Sequence, residues 1–100
     1  MAGSTGPGVL VVLFTPRATR ELLAAARWWC KSRLEAPRLL DNEIERALRR
    51  IAVFPRSAPL VRGRDVRRVV LRRSRHLLFY RVRPRLGRIE VISVLYGRRG

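Results

Sequence analysis

Residues 66–96 read VRRVVLRRSRHLLFYRVRPRLGRIEVISVLY, and this stretch decides the fold class. Three segments rich in β-branched and aromatic residues, Val66–Arg73, His76–Arg83 and Arg88–Tyr96, are separated by short turn signals. Ser74-Arg75 is a connection short enough for a β-hairpin. Pro84-Arg85-Leu86-Gly87 makes the second turn. Alternation is plain in the middle segment: Leu78, Tyr80 and Val82 share one face while Arg81 and Arg83 point to the other. It is weaker in Val66–Arg73, where each face mixes Val or Leu with Arg.

Upstream, Arg56 to Asp65 reads as a loop around Pro59 and Gly63. Before it, Leu40, Ile44, Ala47, Leu48, Ile51 and Phe54 recur at three- and four-residue steps, predicting a helix that starts at Pro37 and stops at Pro55. Glu45 and Arg49 sit four apart on its wet side in the favourable order. Thr15-Pro16 opens an earlier helix, with Thr15 as cap and Pro16 at the first helical position. Leu23, Ala26, Cys30 and Leu34 form its expected inward stripe, flanked by Leu22 and Trp29. Glu35-Ala36-Pro37 breaks this helix, and two helices joined so tightly are expected to form an antiparallel hairpin. Val9–Phe14 is a continuous apolar run and is expected to be a buried strand. Met1–Gly8 reads as a loose tail.

The order β-α-α-β-β-β predicts one α+β domain over residues 9–100, a helical hairpin packed on one face of a small antiparallel sheet. Where the first strand joins that sheet is not fixed by the pattern. The uncovered face must then carry arginines.

The chain has 100 residues and a net charge of +16. Residues 1–55 hold eight Arg and one Lys against five acids, whereas residues 56–100 hold fourteen Arg against two acids. Such a field asks for an acidic partner, nucleic acid or protein. The near-exclusive use of Arg has two readings: codon usage, or guanidinium forks that grip carboxylates and phosphates bidentately. Cys30 is the sole cysteine and His76 the sole histidine, so no internal disulfide, metal cluster or Ser-His-Asp triad is readable. No cofactor is expected. The longest apolar run is too short to span a bilayer and no positive charge precedes it, so a cytoplasmic protein without membrane attachment is expected.

Six motifs in this order resemble the RelE/ParE superfamily of toxins: Phe14-Thr15-Pro16-Arg17-Ala18, the aromatic pair Trp28-Trp29, the closing run Leu48 to Pro55, Val66-Arg67-Arg68, Leu78-Phe79-Tyr80-Arg81-Val82, and Ile89 to Arg99. The resemblance covers about residues 9–99 and leans to the ParE branch. It implies the toxin of a type II toxin–antitoxin pair, acting on DNA gyrase by binding and silenced by an acidic antitoxin. A heterotetramer or larger complex with that antitoxin fits the family. The alternative is a RelE-like ribosome-dependent mRNA endoribonuclease. Against it, the sequence lacks the segment after the last strand where the RelE tyrosine would lie, and Tyr96 stands where many relatives carry histidine.

By resemblance, Arg72 and either Arg98 or Arg99 fall where RelE-like arginines fall. With Arg81 and Tyr96 they are the candidates for holding a target or phosphate. Trp28, Arg67 and Arg68 are the antitoxin-binding candidates, and no residue is assigned a catalytic role. Metal-free RNA cleavage needs a proton acceptor and a donor. His76 is expected to be an ordinary surface or strand-edge histidine, Glu90 to pair with Arg81 or Arg83, and Tyr80 to be a core ring with its hydroxyl satisfied. Tyr96 has two open readings, strand-end aromatic or target contact. Trp28 likewise is either a partner anchor or a lid over the hairpin. Cys30 is expected in the core.

Overall fold

Thr15 marks the change from strand to helix, because its hydroxyl accepts the Ala18 N–H and Pro16 takes the first helical position. The computed structural model describes residues 10–97; the expected tail over residues 1–8, and Arg98 and Arg99, lie outside the described residues. Within them run β1 (Val11–Phe14), α1 (Pro16–Ser32), α2 (Leu39–Val53), β2 (Arg67–Leu71), β3 (His76–Arg83), a 3-10 turn (Pro84–Leu86) and β4 (Arg88–Tyr96). The order β-α-α-β-β-β and the α+β class are as expected.

The sheet is ordered β1-β4-β3-β2 and is mixed, not wholly antiparallel. β2, β3 and β4 form the expected antiparallel meander. β1 lies parallel to β4, with Val11 opposite Arg88 and Phe14 opposite Val91. The expectation of a buried first strand is corrected by this placement. β1 is an edge strand with helices on one face only, so Val11 and Leu13 remain nearly half exposed. A uniformly apolar run hides such one-sidedness because it shows no alternation.

Both helices lie on the same sheet face. Ala18 and Ile51 pack with Leu78, Tyr80, Ile89, Val91 and Val94. Trp29, Leu40, Ile44, Ala47 and Leu71 form a second cluster towards the β2–β3 turn. The inward stripe of α1 is Ala18, Leu22, Ala25 and Trp29, one position off the expected Leu23, Ala26, Cys30 and Leu34. Leu23, Cys30 and Leu34 are exposed. The rotation is set by Trp29, whose indole N–H donates to the Ala36 carbonyl at 2.8 Å and locks the ring beneath the interhelix turn. Phe54, expected on the inner stripe of α2, is also exposed, because the helix ends at Val53. α2 starts at Leu39 rather than Pro37, with Arg38 as its cap residue.

The β2–β3 connection is longer than a two-residue loop. It occupies residues 72–75, with Arg75 in the left-handed region (φ 62°). The second turn closes on Gly87 at φ 64°, where a glycine is favoured.

Candidate functional site

Strand register decides which arginines meet. On the uncovered face Arg68 stands opposite Phe79, Arg81 opposite Glu90, and Arg83 opposite Arg88. Val70, Leu77 and Leu95 make an apolar row at the end nearer the β2–β3 turn. The expected arginine face is therefore there, interleaved with aliphatic and aromatic side chains.

Arg81 sits in a groove of about 440 Å³ lined by Arg17, Arg64, Phe79, Ile92 and Leu95 among others. Its register partner Glu90 is taken elsewhere. Arg83 Nε lies 3.3 Å from one Glu90 oxygen, and Arg88 reaches the other at 2.9 Å. Of the two arginines expected to pair with Glu90, Arg83 does so, and Arg88 joins it. The hydrogen bond from Arg88 is the main cause that holds the Glu90 carboxyl below its ordinary range. Arg81 Nε is left buried without a hydrogen-bond partner among the described residues. A buried guanidinium nitrogen without an acceptor is costly, and the Arg81 side chain lines the groove itself.

The remaining candidates among the described residues do not converge on this groove. His76 lies five residues before Arg81 on the same strand, roughly 17 Å at the usual rise. Tyr96 stands opposite His76, on the helix side of the sheet and more than half exposed. Arg72 is exposed at the β2–β3 turn. There it borders a second groove, whose apolar floor includes Val53, Phe54 and Val70 beside Arg46, Arg49 and Arg50. Arg67 points to the helix side, where its guanidinium donates to the Ala58 and Arg56 carbonyls at 2.7 and 3.2 Å and pins the loop. Arg68 is exposed on the open face.

His76 is buried, not at the surface as expected. Its Nδ1 lies 2.9 Å from the Ser74 carbonyl oxygen, and its ring stacks edge-on against Trp29 and Tyr96 at 6.3 and 5.6 Å. Burial lowers its pKa, opposed by the Ser74 hydrogen bond and the charge of Glu43. The physical reason for the correction is the cross-strand register, which sets His76 between Leu71 and Tyr96 beneath the end of α1. Tyr80 is the core ring expected, its hydroxyl donating to the Pro55 carbonyl at 2.6 Å. Trp28 is 51% exposed with Arg33 stacked over its ring at 5.8 Å.

Two carboxylates were not singled out by sequence reasoning. Glu43 is buried in α2 and accepts the Arg73 and Ser74 backbone N–H groups, both at 2.9 Å. Its signal was its place between Leu40 and Ala47 on the apolar face. Glu21 in α1 accepts the Ser93 hydroxyl at 2.8 Å and the Val94 N–H at 2.9 Å. Burial opposes its charge, but the hydrogen bonds from Val94, Ser93 and Arg17 outweigh it and hold the carboxyl below its ordinary value. Nothing in sequence spacing links positions 21 and 94.

Among the described residues no group of His, Cys, Asp and Glu is arranged to hold a metal, and no helix is long and apolar enough to cross a membrane. A family model described as the ParE toxin of the type II toxin–antitoxin system parDE matches residues 12–100. None of the curated proteins matches the chain. Among solved structures the chain is similar to one from the chromosomal ParDE system of P. aeruginosa. Identity is 16% and the TM-score 0.73, over 92% of this chain and 100% of that one. The isolated E. coli RelE toxin matches at 24% identity and TM-score 0.65, over 91% of this chain and 87% of that one. A chain of the RelBE2 toxin–antitoxin complex from Mycobacterium tuberculosis matches at 22% and 0.61, over 94% and 98%. At these identities the likeness is one of fold.

Proposed function

The chain belongs to the ParE toxins of type II toxin–antitoxin systems, and from that premise we propose that it stops growth by binding DNA gyrase rather than by cutting RNA. In the cytoplasm a co-encoded acidic antitoxin holds it silent. Structures of fold relatives in complex with antitoxins support the partner. The observation that carries the choice of target is the surroundings of Arg81. Its groove offers guanidinium groups and apolar surface, which suit the binding of an acidic, shaped target. Of the groups able to move a proton, three are engaged elsewhere, and the exposed Tyr96 stands on the helix side of the sheet, outside this groove. Glu90 is held by two arginines, the Tyr80 hydroxyl donates to a carbonyl in the core, and His76 is buried under α1. Guanidinium itself is a poor base.

One observation favours the second reading, a RelE-like ribosome-dependent endoribonuclease. Phe79 and Arg81 share the groove, and such pairs stack bases and hold phosphates. DNA supercoiling by purified gyrase and translation in a cell-free extract, followed in parallel with the free toxin, separate the two. Inhibited supercoiling with unchanged translation is expected. Codon-phased cuts in ribosome-bound mRNA that vanish in Tyr96→Phe would establish the ribonuclease instead.

A further inference from the structure

Between the second half of α2 and β2, at the edge of the sheet, lies a groove of about 740 Å³. Its floor is apolar, made by Val53, Phe54, Val69, Val70 and Leu71. Phe54 is 62% exposed, and Val53 and Val70 are about half exposed beside it. The Phe54 backbone is nevertheless pinned. Its N–H donates to the Arg50 carbonyl at 2.7 Å and its carbonyl accepts the Ser57 N–H at 3.1 Å. The next carbonyl, of Pro55, accepts the Tyr80 hydroxyl. An exposed ring on a fixed backbone loses little freedom on binding, which suits an anchor.

Arginines rim this floor. Arg46, Arg49 and Arg50 stand on the helix side, and Arg72 and Arg73 at the β2–β3 turn. Arg49 has a surface ion pair with Glu45, and the other four have none among the described residues. Glu43 is the one carboxylate lining the groove among the described residues, and its oxygens are committed to the Arg73 and Ser74 N–H groups. A solvated arginine face needs no apolar floor. The two together fit an acidic protein segment that carries an apolar side chain. A nucleic-acid strand would satisfy the rim, but the floor is aliphatic save for one ring and offers bases no run of stacking surfaces. Val70 belongs both to this groove and to the open sheet face, where it stands opposite Leu77. The groove therefore continues, round the edge of β2, the face that carries Arg68 and Arg81.

We propose that this groove is a second anchor for the target. An acidic segment of DNA gyrase sets an apolar side chain against Phe54 and Val70, and flanking carboxylates pair with Arg50 and Arg72. The proposal rests on the gyrase reading above and deepens it, since the target then grips the toxin across the open face and round its β2 edge.

The test uses the full-length toxin, the gyrase holoenzyme on DNA, and the co-encoded antitoxin. Phe54→Ser removes the exposed ring without changing charge. Arg50→Glu and Arg72→Glu each reverse one rim charge, and Arg38→Glu is the charge-matched control at the other end of α2. Dissociation constants for gyrase, for the antitoxin and for a bare DNA duplex are measured at one fixed salt concentration, with thermal melts confirming that each variant folds. Phe54→Ser, Arg50→Glu and Arg72→Glu should each weaken gyrase binding at least about tenfold. Antitoxin and duplex affinities should be unchanged in Phe54→Ser, and should fall in the two rim reversals no further than in Arg38→Glu. Wild-type gyrase affinity in Phe54→Ser overturns the proposal, as does a loss in the rim reversals no larger than in Arg38→Glu. An equal loss of duplex binding in Phe54→Ser would give the groove to DNA, and a loss of antitoxin affinity with gyrase binding intact would give it to the antitoxin; either result overturns the proposal. A wild-type toxin that does not bind gyrase defeats the target reading itself. One that binds gyrase equally well in all four variants loses only this second anchor.

Discussion

Arg81 stands opposite Glu90 but does not receive its carboxylate, and it lines the groove on the open face with no ion pair among the described residues. Arg81→Glu should reduce growth inhibition at least about tenfold, as removal of a half-buried charged anchor does at interfaces. Arg38→Glu should leave it near wild type, because Arg38 is an exposed residue whose one ion pair among the described residues is with Asp41 at the start of α2. Equal loss in both variants, with folding intact, would mean that the open sheet face is not the working surface. The alternation Leu78-Tyr80-Val82 against Arg81-Arg83 placed Arg81 on that face from sequence alone. His76 was not legible in the same way, because a lone histidine beside a turn says nothing of what crosses over it. In the fold Trp29 and Tyr96 close on its ring, and burial lowers its pKa. The sign follows: a depressed folded pKa means that the unfolded chain binds the proton more readily. Stability from His76 is complete above its unfolded pKa of about 6.5 and is lost as pH falls below it. Urea midpoints should therefore drop between pH 7.5 and 5.5, ahead of the lower window in which Glu21 and Glu90 protonate. His76→Gln should flatten the upper slope, and an unchanged slope would exclude His76 as its source.

At the scale of elements, caps and breakers located both helices to within two residues, since Thr15-Pro16 and Pro55 act through local backbone chemistry. Rotation about the α1 axis was not local. Leu22 and Leu23 are equally apolar, and what chooses between them is the Trp29 bond to Ala36 together with the sheet beneath. β1 likewise needed its parallel neighbour β4 before its exposed side could be known. The β2–β3 turn depends on Glu43 in α2, which accepts the N–H groups of Arg73 and Ser74 from a buried position. Each hydrogen bond to a charged group contributes about 1.5–3 kcal/mol. Glu43→Gln keeps one acceptor and turns an NH₂ towards a donor, so it should destabilise the fold by about 2 kcal/mol or more. Urea unfolding measures this directly. A loss under about 0.5 kcal/mol, the range of ordinary surface substitutions, would show that the turn holds itself.

On the scale of the whole molecule the governing quantity is a net charge of +16, concentrated in residues 56–100. Charge of one sign destabilises the compact chain by self-repulsion and attracts an acidic partner through the same field. The two effects respond oppositely to salt, which gives a test that no single contact can imitate. Raising sodium chloride from about 50 to 500 mM shortens the screening length from roughly 14 Å to roughly 4 Å. The melting temperature of the free toxin should then rise, because repulsion between arginines on the open face is screened. Over the same range the association rate with the antitoxin should fall at least about tenfold, since steering depends on the long-range field. Dissociation should change less, because it is governed by contacts that are already desolvated. Ion pairs such as Arg83–Glu90 and Arg17–Glu21 oppose the first trend, as salt weakens them too, but the five pairs among the described residues, set against this excess of arginine, cannot reverse it. A free toxin whose melting temperature falls with salt would therefore mean that attraction, not repulsion, dominates its own surface. The case for an acidic partner drawn from charge would then fail even if the fold and family stood.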